Sequence, residues 1–385
     1  MTGQNGATEI AYYDLPERRL TLVGATLSRR LEKGKGIWRL ELPRPGEEPL
    51  QVEQPGGPVT PPSDVRRTLP AFLRGSAPEL VLRLPPDGEP MRALQRKEDG
   101  SEPARDAIER LRAMLEQQYA QILRHDPGVR LDLDAEDVHA VRVAVRRARA
   151  VLRAARPILD EDWSEPLRSE LKWLGRSLGR RRDTDVLVTH LRGELERLEQ
   201  PERTSAGALV ELLAGERETA QAIAVDALES ERYYRLLDAL EAAARGPRVR
   251  RGEVSLRRLA RREFERLRKV AERLGPEASD EALHRARILG KRARYAAELA
   301  EPEVGKPARR FVARAKAFQD VLGAHQDAIV AEARLRGLLG DASGSGAAFA
   351  AGRLVERERA RRRAARAELP AAWKALKRSA DAAWG

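Results

Sequence analysis

Two periodicities divide the chain. Before about residue 95, apolar and polar residues alternate over short runs, at 26–31, 37–42, 50–53 and 80–84. Pro- and Gly-dense stretches such as Pro43-Arg44-Pro45-Gly46 and Gly56-Gly57-Pro58 separate them. That pattern predicts a small antiparallel sheet. From residue 104 onward, apolar residues return every three or four positions, the spacing of one helix face. Ile108, Leu111, Leu115, Tyr119 and Ile122 set a helix over 104–125, with His125-Asp126-Pro127 read as its capped end. A second helix runs from Asp134 or Glu136 to just before Pro157, and a third covers 163–180 with Leu167, Leu171 and Leu174 inward. Asp183-Thr184-Asp185 reads as the N-cap of a fourth, which continues to 198. After a turn at 201–207, helices follow at 209–228, 232–245, 255–274, 280–299, 307–322, 325–339, 349–368 and 371–384. Long helices joined by short turns predict antiparallel bundles.

The second helix has an unusual polar face. His139, Arg142, Arg146 and Arg149 stand at offsets 0, 3, 7 and 10, with Arg147 beside them. At about 100° per residue the four span roughly 80°. Val138, Val141, Val145, Ala148 and Leu152 fill the adjoining arc, and no carboxylate occurs between Asp137 and Asp160. Like charges stacked on a helix face repel, so the stripe predicts a polyanion that neutralises it. The arrangement recurs. His284, Arg287, Lys291, Arg292 and Arg294 stand at offsets 0, 3, 7, 8 and 10. Each copy precedes a second matching element, Leu178-Gly179-Arg180-Arg181-Arg182-Asp183 and Leu322-Gly323-Ala324-His325-Gln326-Asp327. The His-to-Asp separations are 44 residues (139 to 183) and 43 (284 to 327), which predicts an internal repeat. Its halves run from about 103 to 245 and 253 to 385, joined by the basic stretch 245–252. The expected fold is mainly α: two pseudo-symmetric antiparallel helical bundles behind a small β-rich domain at 1–95, with a linker at 96–102. Arg180, Arg181 and Arg182 join the candidate polyanion-binding residues, as does His325, which aligns with Arg181 and is expected to face the groove.

Charge sharpens this picture. Among 385 residues, 72 Lys and Arg face 60 Asp and Glu, a formal net charge of +12. That is the footprint of a polyanion binder. Most of the cations are Arg, whose planar fork binds phosphate oxygens in pairs and stays charged. Aromatic residues make up only 4%, too few for the base-stacking platforms of single-strand binders, so nucleic acid is the second choice of partner. Cysteine is absent, which excludes disulfides, thiolate metal sites and a Cys nucleophile and suits a reducing cytoplasm. No leader pattern is expected at the start and no apolar run approaches a membrane span. Arg142 and Val143 occupy the positions where a metal-binding His139 would need partners. No phosphate-cradling Gly loop, Ser–His–Asp set or His-x-x-x-His occurs. Asp183 and Asp327 are read as caps or arginine holders rather than general bases. No cofactor, no metal and no catalytic residue is expected, so the helical part is read as non-enzymatic.

The paired histidine–arginine helices, each with a downstream L-G-x-x-x-D element, resemble the CHAD family (conserved histidine α-helical domain) over roughly 103–385. The resemblance implies an all-helical fold of two pseudo-symmetric antiparallel four-helix bundles with a basic groove between or along them. It also implies binding of inorganic polyphosphate without catalysis, in the cytoplasm and at polyphosphate granules. Tyr12-Tyr13-Asp14, Leu27-Ser28-Arg29-Arg30, Trp38-Arg39-Leu40-Glu41-Leu42-Pro43 and Leu73-Arg74-Gly75 resemble the middle of a CYTH domain, the triphosphate tunnel fold. An E-x-E-x-K strand, the later acidic strands and the lysine expected at Glu41 are missing. A triphosphatase of that class needs carboxylates for Mg²⁺ or Mn²⁺, so this segment is expected to be a truncated, inactive relative.

Overall fold

A computed structural model describes residues 9–95, 107–197, 200–250, 255–338 and 345–385. The expected linker at 96–102 lies outside them. Five strands are described: β1 (Ile10–Asp14), β2 (Thr26–Glu32), β3 (Lys35–Leu42), β4 (Leu50–Pro55) and β5 (Glu79–Leu84). Short helices accompany them: α1 (Arg19–Val23), α2 (Ser63–Thr68), α3 (Pro70–Leu73) and α4 (Pro90–Gln95). The strands form one antiparallel sheet in the order β4-β3-β2-β1-β5. The β2–β3 hairpin turns at Lys33-Gly34, both with positive φ (47° and 78°), the backbone that matches strand twist. Leu27, Trp38 and Leu40 are fully buried, and Trp38 Nε1 donates to Gly57 O at 2.8 Å. β1 was not visible in the alternation, because Ile10-Ala11-Tyr12-Tyr13 is a continuous apolar run. Asp14 at its end accepts from Leu20 N at 2.9 Å and Thr21 Oγ1 at 2.6 Å, fixing α1 against the strand.

The long helices are α5 (Ala107–Arg130), α6 (Ala135–Ala154), α7 (Glu161–Ser177), α8 (Gly179–Leu195), α9 (Gln200–Glu229) and α10 (Glu231–Arg245). They continue as α11 (Leu256–Ala271), α12 (Asp280–Leu299), the short α13 (Glu301–Val304), α14 (Lys306–Leu338) and α15 (Ser345–Trp384). Several expected boundaries give way. α5 runs on through Pro127, and His125 Nδ1 lies 2.7 Å from Asp137 Oδ1 instead of capping an end. α9 covers the expected turn at 201–207. α14 joins the stretches 307–322 and 325–339, and α15 passes through Pro370. α8 begins at Gly179, so Asp183 is not its cap; the break from α7 is confined to Leu178.

The chain divides into two compact units. The first holds Met1–Pro103, Glu116–Val145 and Ala224–Ala242; the second holds Ala104–Leu115, Arg146–Ile223 and Ala243–Gly385. In the first, the sheet segment is tied to helices by buried charge. Arg19 reaches both oxygens of Glu241 at 3.0 Å, and Arg74 Nη2 and Tyr119 Oη donate to the same carboxylate at 3.1 and 2.8 Å. Asp126, fully buried, holds Arg130 at 2.7 Å and the Tyr233 hydroxyl at 2.9 Å. In the second unit, α11, α12, α14 and α15 pack as a four-helix bundle. Ser255 and Ser279 cap α11 and α12 through the amides of Arg258 and Ala282. Phe264, Phe311, Phe318, Trp373 and Trp384 meet in its core at ring separations of 5.3–6.1 Å. Five of the chain's few aromatics are thus taken up by this core.

Candidate polyanion-binding cleft

Within the second unit, the C-terminal half of α6 meets α7, α11 and α12 around a cleft of about 730 Å³. Helical spacing brings its cations into line. α6 presents Arg146, Arg149 and Arg153, the turn after it presents Arg156, α7 presents Arg168, α11 presents Arg262 and Arg266, and α12 presents Lys291 and Arg292. Three carboxylates line it, Glu161, Glu165 and Glu263. All three are engaged by arginine: Arg156 binds Glu161, Arg168 binds Glu165, and Arg266 holds Glu263 at 2.5 Å. Ala150, Ala154, Leu259, Ile288 and Tyr295 supply apolar lining.

Other cations of the cleft lack such a partner among the described residues. Arg146, Arg149, Arg153, Lys291 and Arg292 form no ion pair with a carboxylate among the described residues. The Nε atoms of Arg149, Arg168 and Arg292 are buried without a hydrogen-bond partner. Burial, reinforced by Arg168 and Arg176, lowers the pKa of Arg149; burial, with Arg292 and Arg168, does the same to Arg153. Burial likewise lowers Arg287, with Asp327 opposing and Arg146 adding to the shift. Lys291 is pushed down to about 8 by burial, then by Arg287, Arg146 and Arg294, with Asp327 acting the other way. Each shift says that the charged form is held at a cost, which an anion would relieve. The arginines of α15 differ: Arg359 lies 3.1 Å from Glu332, Arg361 2.7 Å from Glu358, Arg363 2.9 Å from Glu356 and Arg366 2.7 Å from Asp280.

A second cleft of about 550 Å³ adjoins the first and shares Ile288 and Arg292. His284 lines it, exposed, with Nδ1 3.0 Å from Gln326 Oε1. Asp280 and Glu281 also line it, so it lacks the net positive charge of the first.

Of the residues expected from the sequence, Arg146, Arg149, Lys291 and Arg292 converge in the main cleft, and Arg287 stands close enough to Lys291 to act on it. Arg147 and Arg294 turn toward Glu298, the latter at 3.5 Å and 4.7 Å over the Tyr295 ring. His139 and Arg142, both partly exposed, lie on the stretch of α6 that belongs to the first unit. Arg180 is exposed and Arg182 partly exposed, and neither lines either cleft. Two expectations need correction. Arg181 is fully buried, with Nε 3.0 Å from Asp185 and Nη1 bonded to Gln221. His325, only 3% exposed, does not face the groove: its Nε2 accepts from Arg366 Nε at 3.2 Å, and burial with Arg366 lowers its pKa. These two aligned residues organise the interior. The sequence reading missed Arg153, Arg156, Arg168, Arg262 and Arg266. Arg153 stands four residues after Arg149, and Arg262 and Arg266 are four apart on α11, so helical spacing carried the signal. Among the described residues no group of three or more His, Cys, Asp or Glu is placed to hold a metal, and no described helix is long and apolar enough to cross a membrane.

A model of the CHAD domain family matches residues 113–336. Two uncharacterised proteins of Mycobacterium tuberculosis, from strains CDC 1551 / Oshkosh and H37Rv, are each 32% identical over 248 residues. The match covers 62% of this chain and 46% of theirs, so it spans less than half the length of these relatives. PptA from Streptomyces chartreusis superposes with a TM-score of 0.58 at 26% identity, over 69% of this chain and 99% of its own. The CHAD domain from the plant Ricinus communis superposes with a TM-score of 0.55 at 27% identity, over 72% and 92%.

Proposed function

The chain belongs to the CHAD domain family, and from that premise we propose that it binds inorganic polyphosphate in the cleft between α6, α7, α11 and α12. It acts as a binding module without a catalytic step of its own and associates with polyphosphate granules in the cytoplasm. The observation that carries this reading is the set of cations, Arg146, Arg149, Arg153, Lys291 and Arg292, that form no ion pair with a described carboxylate. Polyphosphate brings about one negative charge per phosphate and no bases. Arginine forks pair with its oxygens, and a cleft that is partly desolvated strengthens each contact. Tyr295, the one aromatic lining the cleft, is itself 3% exposed, so bases find no stacking surface and a nucleic acid would gain only its backbone contacts. The lining cations can bind and orient phosphate; the lining carboxylates are already engaged. The N-terminal sheet serves as a structural part, its CYTH-like Arg39 paired with Glu41 at 3.2 Å.

Titration of the full chain with long-chain polyphosphate and with single-stranded DNA of matched charge, at about 50 and 200 mM salt, tests this. Polyphosphate should bind at least about tenfold more tightly at both salt concentrations, since the DNA term falls faster where contacts are exposed. Equal affinities for the two would sink the polyphosphate reading and leave a general polyanion binder.

A further inference from the structure

Lys291 is an anomaly among the cleft's cations. The chain has 62 arginines and ten lysines, and in the cleft Lys291 is the lone lysine among eight arginines. Other described lysines, among them Lys269, Lys306 and Lys316, are exposed, and Lys377 is partly buried and paired with Glu272 at 2.7 Å. Lys291 is partly buried, with no carboxylate in ion-pair range among the described residues. Arg146 from α6 and Arg287 and Arg294 from α12 act on it, with Asp327 of α14 as the opposing charge.

Guanidinium groups and an amine do different chemistry. A guanidinium stays protonated and holds phosphate; an amine that loses its proton is a nucleophile. We infer that Lys291 is a site of acylation by acyl phosphates, with the surrounding arginines holding the donor's phosphoryl group and Lys291 Nζ taking its acyl group. This rests on the phosphate-binding reading of the cleft. The neutral Nζ attacks the acyl carbon, forming an N–C bond. The bond from that carbon to the phosphate oxygen breaks, its electron pair leaving with inorganic phosphate. The proton shed by the nitrogen passes to the departing phosphate or to water. Nothing is oxidised or reduced. Arginines beside the leaving phosphate stabilise the charge that develops on it. With a pKa of about 8, roughly half of Lys291 is neutral at pH 8, against under about 1% for an ordinary lysine. The weaker base is also the weaker nucleophile, so the expected advantage is on the order of tenfold rather than a hundredfold. Acylation removes one charge from the cleft, so the modified chain binds polyphosphate less tightly.

The test treats the full chain at pH 8 with acetyl phosphate and follows each lysine by mass spectrometry of Glu-C peptides. Lys291 should be acetylated on the order of tenfold faster than Lys269 and Lys316. Added tripolyphosphate should suppress Lys291 selectively. The N-hydroxysuccinimide ester of acetic acid, a donor without phosphate for the arginines to hold, should show a smaller preference for Lys291. A Lys291 rate no higher than that of the exposed lysines overturns the inference, as does an equal preference for both donors. Polyphosphate binding is measured separately on untreated chain. Tight polyphosphate binding with an unreactive Lys291 removes this inference alone. Absent polyphosphate binding, with acetylation still guided by phosphate, removes the polyphosphate reading and keeps a site for smaller phosphates.

Discussion

Arg149 and Arg361 are both helical arginines in dense basic runs, but Arg361 lies 2.7 Å from Glu358 while Arg149 has a buried Nε without a partner. In the sequence both stand in runs of arginine, and nothing local tells them apart. The partner of Arg366 is Asp280, 86 residues away, and such distances are set by packing, not by local pattern. What was legible was the absence of carboxylates from 138 to 159, and the unpaired residues Arg146, Arg149 and Arg153 come from that stretch. Arg181 and His325 misled for the complementary reason: a buried cation and an exposed one look alike in sequence. Lys291 yields a prediction at this scale. Its folded pKa, about 8, lies below the ordinary 10.5. Between those values the unfolded chain holds the proton more firmly, so this residue's contribution to stability rises with pH through that window. A bound polyanion favours the ammonium and raises the pKa again. Polyphosphate binding should therefore take up protons near pH 8, and affinity should fall as pH climbs from 7 to 9. Calorimetry in buffers of different ionisation enthalpy reads that uptake. Lys291→Arg, which cannot titrate there, should abolish it; unchanged proton uptake in that variant would assign it elsewhere.

Elements were read well where periodicity was long and poorly where a local motif suggested an end. α12 matches its expected bounds, 280–299, because Ser279 caps it and its apolar residues keep one face. Asp183-Thr184-Asp185 has the composition of a cap, but Asp185 instead accepts from Arg181 and Arg217 at 3.0 and 3.2 Å inside α8. Holding an arginine is the role read from the sequence for Asp183 and Asp327; in this motif it is Asp185 that holds two. Pro127, Pro370 and Gly323 sit inside helices because surrounding packing outweighs a local preference of about 1 to 3 kcal/mol. The sheet poses a different problem. Nothing in 1–95 announces that Arg19 and Arg74 converge on Glu241, 222 and 167 residues away. That carboxylate, 9% exposed, also accepts from Tyr119. Glu241→Ala should cost about 3–5 kcal/mol, since it leaves the buried Arg19 guanidinium without its carboxylate and leaves Arg74 with Asp238 alone. Glu241→Gln, which keeps one acceptor oxygen, should cost less. Urea unfolding of the full chain measures both, and a loss under about 1 kcal/mol for the alanine variant would show that this cluster does not anchor the sheet.

At the scale of the whole molecule, net charge and cleft charge make separable claims about binding. A protein of formal charge +12 attracts any polyanion at low salt, with or without a built site. Two variants distinguish the cases, each removing four positive charges. The first is Arg146→Gln, Arg149→Gln, Lys291→Gln and Arg292→Gln, all within the cleft. The second is Lys269→Gln, Arg310→Gln, Arg314→Gln and Lys316→Gln, all exposed and outside it. Glutamine retains much of the aliphatic stem, so packing loss is small. Charge-assisted contacts in a shielded cleft are each worth about 1.5–3 kcal/mol, and exposed ones under about 1. At physiological salt the cleft variant should therefore lose more than about a hundredfold in polyphosphate affinity, the surface variant less than about threefold. Stability should move the other way. Burial and neighbouring arginines already press the pKa values of Arg149 and Lys291 down, so removing those charges relieves strain in the free protein. The cleft variant should unfold at an equal or higher temperature than the parent, the trade expected where binding groups are held against their own repulsion. If both variants lose affinity alike, binding follows overall charge and the cleft is not the site. If the cleft variant loses affinity and melts earlier, its effect is misfolding, and the assignment of those four residues to binding fails.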